Sequence, residues 1–237
     1  MLILALDSST SVVAVAVAHA EEKADSEARS RSGREVLAEI SIPSRGASET
    51  LLPAARAALS LAGTELATID RILVGVGPGT FTGIRIALAA TRALALATGA
   101  ALSKNSTLAA LAAPALMSAE EPQVLAVLDA KRRQVFAQRF MAGRTLGEIL
   151  CVTPEELAQL TTEDVPLVVG DGAVRYRTVL CGLGRIPPDA SPLHRVTAAG
   201  HVFSADLTPV LAHDVVPLYV REPDAEVRRD LNPWSKG

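Results

Sequence analysis

Two acids close apolar runs in this sequence, and they are the residues best placed to do chemistry. Residues 2–6 are apolar and end on Asp7, which Ser8, Ser9 and Thr10 follow; residues 123–129 form a second such run, ending on Asp129. An acid with hydroxyls at a hairpin tip can hold a magnesium-bound phosphate. Magnesium needs only one or two carboxylates, and water and phosphate complete its octahedron. Such a site would comprise Asp7, Ser8, Ser9, Thr10 and Asp129. The competing reading is that Asp7 only orders the turn by accepting backbone N–H bonds. It is favoured because no lysine or arginine stands beside Asp7 to hold phosphates.

The segment 75–83, GVGPGTFTG, is rich in glycine. No Gly-Lys-Ser/Thr follows, so it is not a P-loop. Thr80 stands at the third glycine position of the dinucleotide fingerprint, so it is not that either. Backbone N–H groups at the start of the following helix could bind an anion, but a tight strand-to-helix turn that permits close packing is the favoured reading. The histidines are His19, His194, His201 and His213. No two share i, i+4 spacing, so there is no HxxxH or HExxH pair, and no GxSxG nucleophile elbow is present. Arg85 and Arg92, one heptad apart, fit either a solvated helix edge or ion pairing across an interface. No complete catalytic or metal site is legible.

The elements that must position these residues follow from the hydrophobic pattern. Residues 2–6 and 12–18 read as a hairpin with a polar tip at 7–10, and residues 35–43 as a third strand of an antiparallel meander. Residues 20–34 are charged, carry Ser and Gly, and show no apolar period, which predicts a solvated, disordered loop. Residues 48–62 read as a helix with Pro53 near its start. Residues 71–76 read as a buried strand, and 80–98 as a long helix stopped by Gly99. Along that helix Gly83, Ala87, Ala90 and Ala97 form a small-residue stripe and Phe81, Ile84, Leu88 and Ala95 a bulky one. The stripes predict one face on a sheet and one on another helix.

Residues 100–102 are expected as a strand, and 106–117 as a helix capped by Ser106. Strands at 123–129, 133–141 and 148–152 come next, then a helix opening on Thr153-Pro154-Glu155-Glu156. A strand at 166–169, helices near 173–181 and 197–205, and an extended segment at 215–221 complete the chain. The order β-β-β-α-β-α thus occurs approximately twice, a structural duplication in an α/β protein.

Composition bounds the function. The chain has 237 residues, room for one large or two small domains. Hydrophobic residues make up 49% and charged residues 21%, which excludes global disorder. Aromatics are only 3%, so the core must be packed with small and aliphatic side chains. The net charge of -3 leaves no basic footprint of the kind that RNA-gripping proteins need. Cys151 and Cys181 show no metal or disulfide spacing and fit a reducing cytoplasm. The amino terminus lacks the basic region of a signal peptide. The apolar stretch 84–102 is broken by Arg85 and Arg92, so no membrane span is expected.

The segments LILALDSSTSVVAVAV (2–17), SRGASETLLP (44–53), GVGPGTFTGIRIALAATRALA (75–95), STLAALAA (106–113), VLDAKRRQVF (127–136) and PLYVR (217–221) together resemble the bacterial TsaB family, also called YeaZ-like. The likeness spans nearly the whole chain, and GPGTFTGIR is its most specific motif. It implies an actin/Hsp70/sugar-kinase-like fold of two ribonuclease-H-like lobes with mixed sheets flanked by helices, divided here as residues 1–103 and 104–237. It implies a non-catalytic subunit needed for threonylcarbamoylation of adenosine 37 in tRNAs that read codons beginning with A. In that family the subunit dimerises with and activates a catalytic paralogue, TsaD, and an ATPase, TsaE, joins them.

On that reading this chain has no cofactor of its own, the complex uses ATP and magnesium, and tRNA is met only through the complex. The catalytic paralogue's HxxxH motif is absent from this sequence. The older glycoprotease, or peptidase M22-like, label finds no proteolytic residues here. The docking surface implied by the resemblance is the pair of helices at 48–62 and 80–98, with Leu51, Leu52, Ala55, Ala58, Gly83, Ile86, Ala87, Ala90 and Ala93 at the partner. The same helices could pair two copies of this chain. Ala47 stands where the family often has histidine, and the 20–34 loop is longer than the resemblance implies. The alternative function is an ATP-dependent phosphotransferase of the same fold using Asp7, Thr10 and Asp129.

Overall fold

The computed structural model describes residues 1–21, 33–43, 46–118, 123–141, 144–160 and 165–221. The expected loop at 20–34 lies mostly outside these. The first sheet is built from β1 (Leu2–Asp7), β2 (Val12–Ala20), β3 (Arg34–Pro43), β4 (Arg71–Gly75) and β5 (Ala101–Asn105), in the order β3-β2-β1-β4-β5. The first three strands are the antiparallel meander, and β1, β4 and β5 run parallel. Strands β1 and β4 are central and covered on both faces, which is why their sequences are unbroken apolar runs.

Side chains alternate across this sheet. Leu4, Leu6, Val13, Val15, Val17, Ile72 and Val74 meet α1 (Ala47–Leu61) and α2 (Phe81–Thr98) on one face. Ile3, Ala5, Ala14, Ala16, Ala18 and Leu73 meet α7 (Ala198–Ser204) on the other. Fully burying a Leu or Ile contributes about 1.5–3 kcal/mol, so Leu4, Leu6, Leu51, Ile72 and Ile84 anchor the α1/α2 side. On the α7 side the alanines let helix and sheet approach closely, as the scarcity of aromatics requires.

The second sheet comprises β6 (Gln123–Lys131), β7 (Gln134–Met141), β8 (Arg144–Val152) and β9 (Leu167–Val169), ordered β8-β7-β6-β9. It repeats the connectivity of β3-β2-β1-β4, two antiparallel pairings and then a parallel one. One face packs on α3 (Thr107–Met117), the other on α4 (Pro154–Ala158), α5 (Asp171–Arg175) and α6 (Arg177–Leu180). The two mixed sheets with flanking helices are the duplicated, actin/Hsp70/sugar-kinase-like architecture. The expected division at 103/104 falls inside β5, so Lys104 and Asn105 still belong to the first sheet, and α7 returns to cover that sheet from the far end of the chain.

Several local readings need correction. Pro53 is the seventh residue of α1 and not near its start. A proline there removes one intrahelical bond; Pro53 and Glu49 both lie on the exposed side, where water can take the freed carbonyl. Ser106 occupies the cap position of α3 but its side chain makes no capping bond. Instead Thr107 N–H donates to the Gly77 carbonyl at 2.8 Å, so the glycine-rich turn serves the helix start. The helix expected near 173–181 is two short helices, broken at Tyr176, where φ is -112° and ψ is 29°. Strand β5 extends to Asn105 through parallel pairing of Ser103, Lys104 and Asn105 with Leu73, Val74 and Gly75 of β4, and the buried Ser103 hydroxyl is shared between the carbonyls of Leu207 and Thr208. Gly99 ends α2 at φ 76°, as expected of a left-handed stop. The Thr153 cap is a complete capping box with Glu156.

Candidate functional site

Asp7 is the last residue of β1, paired with Ala14 across the first hairpin. The turn folds its carboxylate inward, where it is 1% exposed. Oδ1 accepts the Ser9 N–H at 2.5 Å. Oδ2 accepts the Thr107 hydroxyl at 3.2 Å and lies 2.6 Å from Nε2 of His201, which is 0% exposed on α7. The other ring nitrogen of His201 lies 3.3 Å from the Asn105 amide, which also donates to Ser204 Oγ. Ser9 Oγ completes the cluster against Thr107 Oγ1 at 2.9 Å. Burial alone would push the Asp7 carboxyl up. The hydrogen bond and charge of His201, with the Ser9 donors, outweigh it and hold the group below the usual carboxylate range.

The glycine-rich segment closes over this turn. Ser8 Oγ donates to the Gly83 carbonyl at 2.8 Å, and Thr80 N–H donates to the Ser9 carbonyl at 2.6 Å. A Cβ at Gly83 would overlap the Ser8 carbonyl oxygen, one at Gly79 the Ser9 carbonyl oxygen, and one at Gly75 the Asp7 carboxylate. These glycines are required for close backbone approach, and the approaching group is the chain's own hairpin rather than an anion. Asp7, Ser8 and Ser9 are therefore committed to a buried polar network, which corrects the reading that opens them to a phosphate.

Thr10 and Asp129 do come together, at a separate place. They line a cleft of about 400 Å³ between the first hairpin and the second lobe, with Lys131, Asp171, Arg175 and Arg195. The Asp129 carboxylate, 3% exposed, is taken up by Lys131 Nζ at 2.9 Å and Arg175 Nη1 at 3.3 Å. Asp171 accepts the Asp129 N–H at 2.9 Å; burial pushes its carboxyl up.

On α2 the sheet takes Gly83, Ile84, Ala87, Leu88 and Thr91. Small and bulky residues thus share one buried arc, and the small residues left exposed on α2 are Ala89, Ala93 and Ala97. Gly83 and Ala87, with Leu51, Ala55 and Ala58 on α1, lie in this chain's own core, which corrects their placement at a partner interface. Of the expected docking residues, Leu52 and Ala93 are exposed and Ile86 and Ala90 half-buried.

Phe81, placed in the bulky stripe by the sequence, is 51% exposed and stacks on Tyr219 with ring centroids 5.6 Å apart. Arg85 lies over the Phe81 ring at 3.6 Å and donates to the Tyr219 hydroxyl at 3.0 Å, and Arg92 donates to the Val215 carbonyl at 2.8 Å. The two arginines thus staple the C-terminal segment to α2. The GPGTFTGIR and PLYVR motifs contain Phe81, Arg85 and Tyr219, but nothing in the sequence said that they meet. By length and apolarity α2 could cross a membrane; here its buried arc lies on the sheet.

Comparison with known proteins places this geometry. The family model of the tRNA N6-adenosine threonylcarbamoyltransferase TsaD matches residues 36–166, more than half of the chain. An uncharacterized protein of Mycobacterium tuberculosis is 31% identical over 188 residues, 79% of this chain and 81% of that one. The tRNA threonylcarbamoyladenosine biosynthesis protein TsaB of Haemophilus influenzae is 26% identical over 187 residues, 73% of each chain. The solved structure of YeaZ from Pseudomonas aeruginosa superposes with a TM-score of 0.73 at 25% identity, covering 92% of this chain and 99% of that one. The chain belongs to the TsaD family and is a TsaB-like, YeaZ-like member of it.

Proposed function

We propose that this chain is a non-catalytic subunit of tRNA adenosine threonylcarbamoylation that docks on and activates the catalytic paralogue TsaD, with the ATPase TsaE joining the assembly in the cytoplasm. ATP and magnesium are used by the complex and not by this chain alone. Its kinship with the transferase and the names of its curated relatives support the reading. The observation that carries it is the apolar surface left open on two neighbouring helices, Leu52 and Leu61 on α1 and Phe81 and Leu96 on α2, while Asp7 is sealed inside. Exposed apolar side chains gathered on neighbouring helices suit an interaction site, and a paralogue of the same fold could meet them with equivalent helices. Two copies of this chain could use it in the same way when the paralogue is absent.

The test is a drop-out reconstitution. Threonylcarbamoyladenosine is formed on tRNA by TsaD and TsaE with no added chain, with the wild type, or with Leu96→Glu. Product that depends on the wild type and fails with Leu96→Glu is the expected result; equal product without the chain would overturn the proposal. The second reading, a nucleotide-using enzyme, rests on Thr10 and Asp129 meeting in the cleft. Binding of magnesium-ATP to the isolated chain, abolished by Asp129→Ala, would favour it.

A further inference from the structure

The hairpin joining β6 to β7 passes through three successive residues with left-handed backbone: Lys131 at φ 62°, Arg132 at φ 51° and Arg133 at φ 60°. Side chains other than glycine avoid this region, and two-residue hairpin turns of this hand favour Asn-Gly or Asp-Gly. The pairing of Lys131 with Gln134, after a register shift at Asp129, leaves Arg132 and Arg133 as the turn. Long cationic side chains therefore stand where small turn formers would be less strained, and all three are exposed. Strain of this kind persists where the surrounding structure imposes it, and it gathers at sites of use.

The tip adjoins the cleft between the lobes, to which Lys131, Arg175 and Arg195 contribute. The carboxylates there are engaged. Asp129 is held by Lys131 and Arg175, Asp189 pairs with Arg177 at 2.5 Å, and Asp171 accepts a backbone N–H. Arg133 and Arg195 thus extend a positive rim on a chain whose net charge is -3.

We propose that this hairpin tip contacts the phosphate backbone of the tRNA, an assignment that rests on the proposed function. Guanidinium forks match phosphate oxygens in a bidentate way. The tip carries no aromatic residue on which a base could stack, so the contact is to backbone and independent of sequence. The acidic balance of the whole chain makes it an auxiliary contact of about two phosphates, added to a tRNA that the assembly holds.

The replacement Arg132→Asn/Arg133→Gly separates this role from a structural one, because it relieves the turn while removing both charges. The wild-type and variant chains, assembled with TsaD, are titrated with an unmodified tRNA transcript at several salt concentrations. The variant should assemble normally and melt no lower than the wild type. Its dissociation constant for tRNA should rise roughly tenfold near 0.1 M salt, and the slope of log K against log salt should fall by about 2. Unchanged affinity and slope overturn the proposal. Loss of assembly with an unchanged salt slope also overturns it, by making the tip a protein contact. If the wild type does not assemble with TsaD, the functional reading fails; the full chain alone is then titrated with the same transcript at low salt. Binding that needs Arg132 and Arg133 there sustains the inference, and binding that ignores them, or none, overturns it.

Discussion

Two substitutions on one helix, Ala87→Glu and Leu96→Glu, should behave in opposite ways. Ala87 is 0% exposed, facing the first sheet beside Ile84 and Leu88, whereas Leu96 is 89% exposed near the end of α2. A glutamate at 87 must place a carboxylate in the apolar layer of Ile84, Leu88 and the sheet. An uncompensated buried charge costs about 3–5 kcal/mol, and overpacking adds about 1–3 kcal/mol. Domains have only about 5–15 kcal/mol in total. At about 2–4 °C per kcal/mol for a chain of this size, the melting temperature should fall by roughly 10 °C or more. At position 96 the charge stays in water, the change should lie within about 0.5 kcal/mol, and the melting temperature should move by about 2 °C at most. Association with TsaD should nevertheless fail for Leu96→Glu. Far-UV circular dichroism melts of both variants, with size-exclusion chromatography against TsaD, read both outcomes. An Ala87→Glu protein that melts like the wild type would show that α2 is rotated from its described orientation. An equally large fall for Leu96→Glu would remove the open face on which the docking proposal depends.

The buried Asp7 should shape acid stability. Its carboxyl is held below the ordinary range in the folded chain, so its contribution is fully present above the unfolded value of about 3.9 and is lost as pH falls through the lower folded value. Denaturant midpoints measured from pH 6 down to 3 should therefore fall more steeply for the wild type than for Asp7→Asn; parallel slopes would refute the assignment. For Gly83→Ala, helix propensity favours alanine by about 1 kcal/mol, but the new Cβ overlaps the Ser8 carbonyl and threatens the Ser8-to-Gly83 hydrogen bond. Overpacking of about 1–3 kcal/mol plus about 1–3 kcal/mol for an orphaned buried group reverses the sign. A higher urea midpoint for this variant would mean that the hairpin does not seat on α2.

What was legible from the sequence depended on how locally each feature is encoded. The central strands β1, β4 and β6 are buried on both faces and read as plain apolar runs. The far half of β5, Ser103 to Asn105, is polar and becomes strand by pairing with Leu73, Val74 and Gly75 of β4, while distant residues take up its side chains, Leu207 and Thr208 for Ser103 and His201 and Ser204 for Asn105. The chemistry of Asp7 was visible in type but not in fate. Its decisive partner, His201, lies 194 residues away and stood in the sequence as a histidine with no neighbour at metal spacing. Turn preference favoured a structural Asp7, and the buried ring on α7 supplies the reason. The glycine-rich segment was read as a close-packing turn, yet nothing local said that the packed object was the Asp7 hairpin.

The division of α2 into small and bulky faces was an error of another kind. At 100° per residue, positions 83, 84, 87, 88 and 91 fall on one arc, so Gly83 and Ala87 had to share a neighbour with Ile84 and Leu88. Once the sheet takes that arc, the surface left for another protein is defined by subtraction. On the proposed docking it is the side bearing Ala93 and Leu96, both exposed, with the Phe81–Tyr219 stack at the helix start. Arg85 and Arg92 hold the C-terminal segment against the same helix, so the proposed docking predicts coupling between association and the anchoring of residues 215–219.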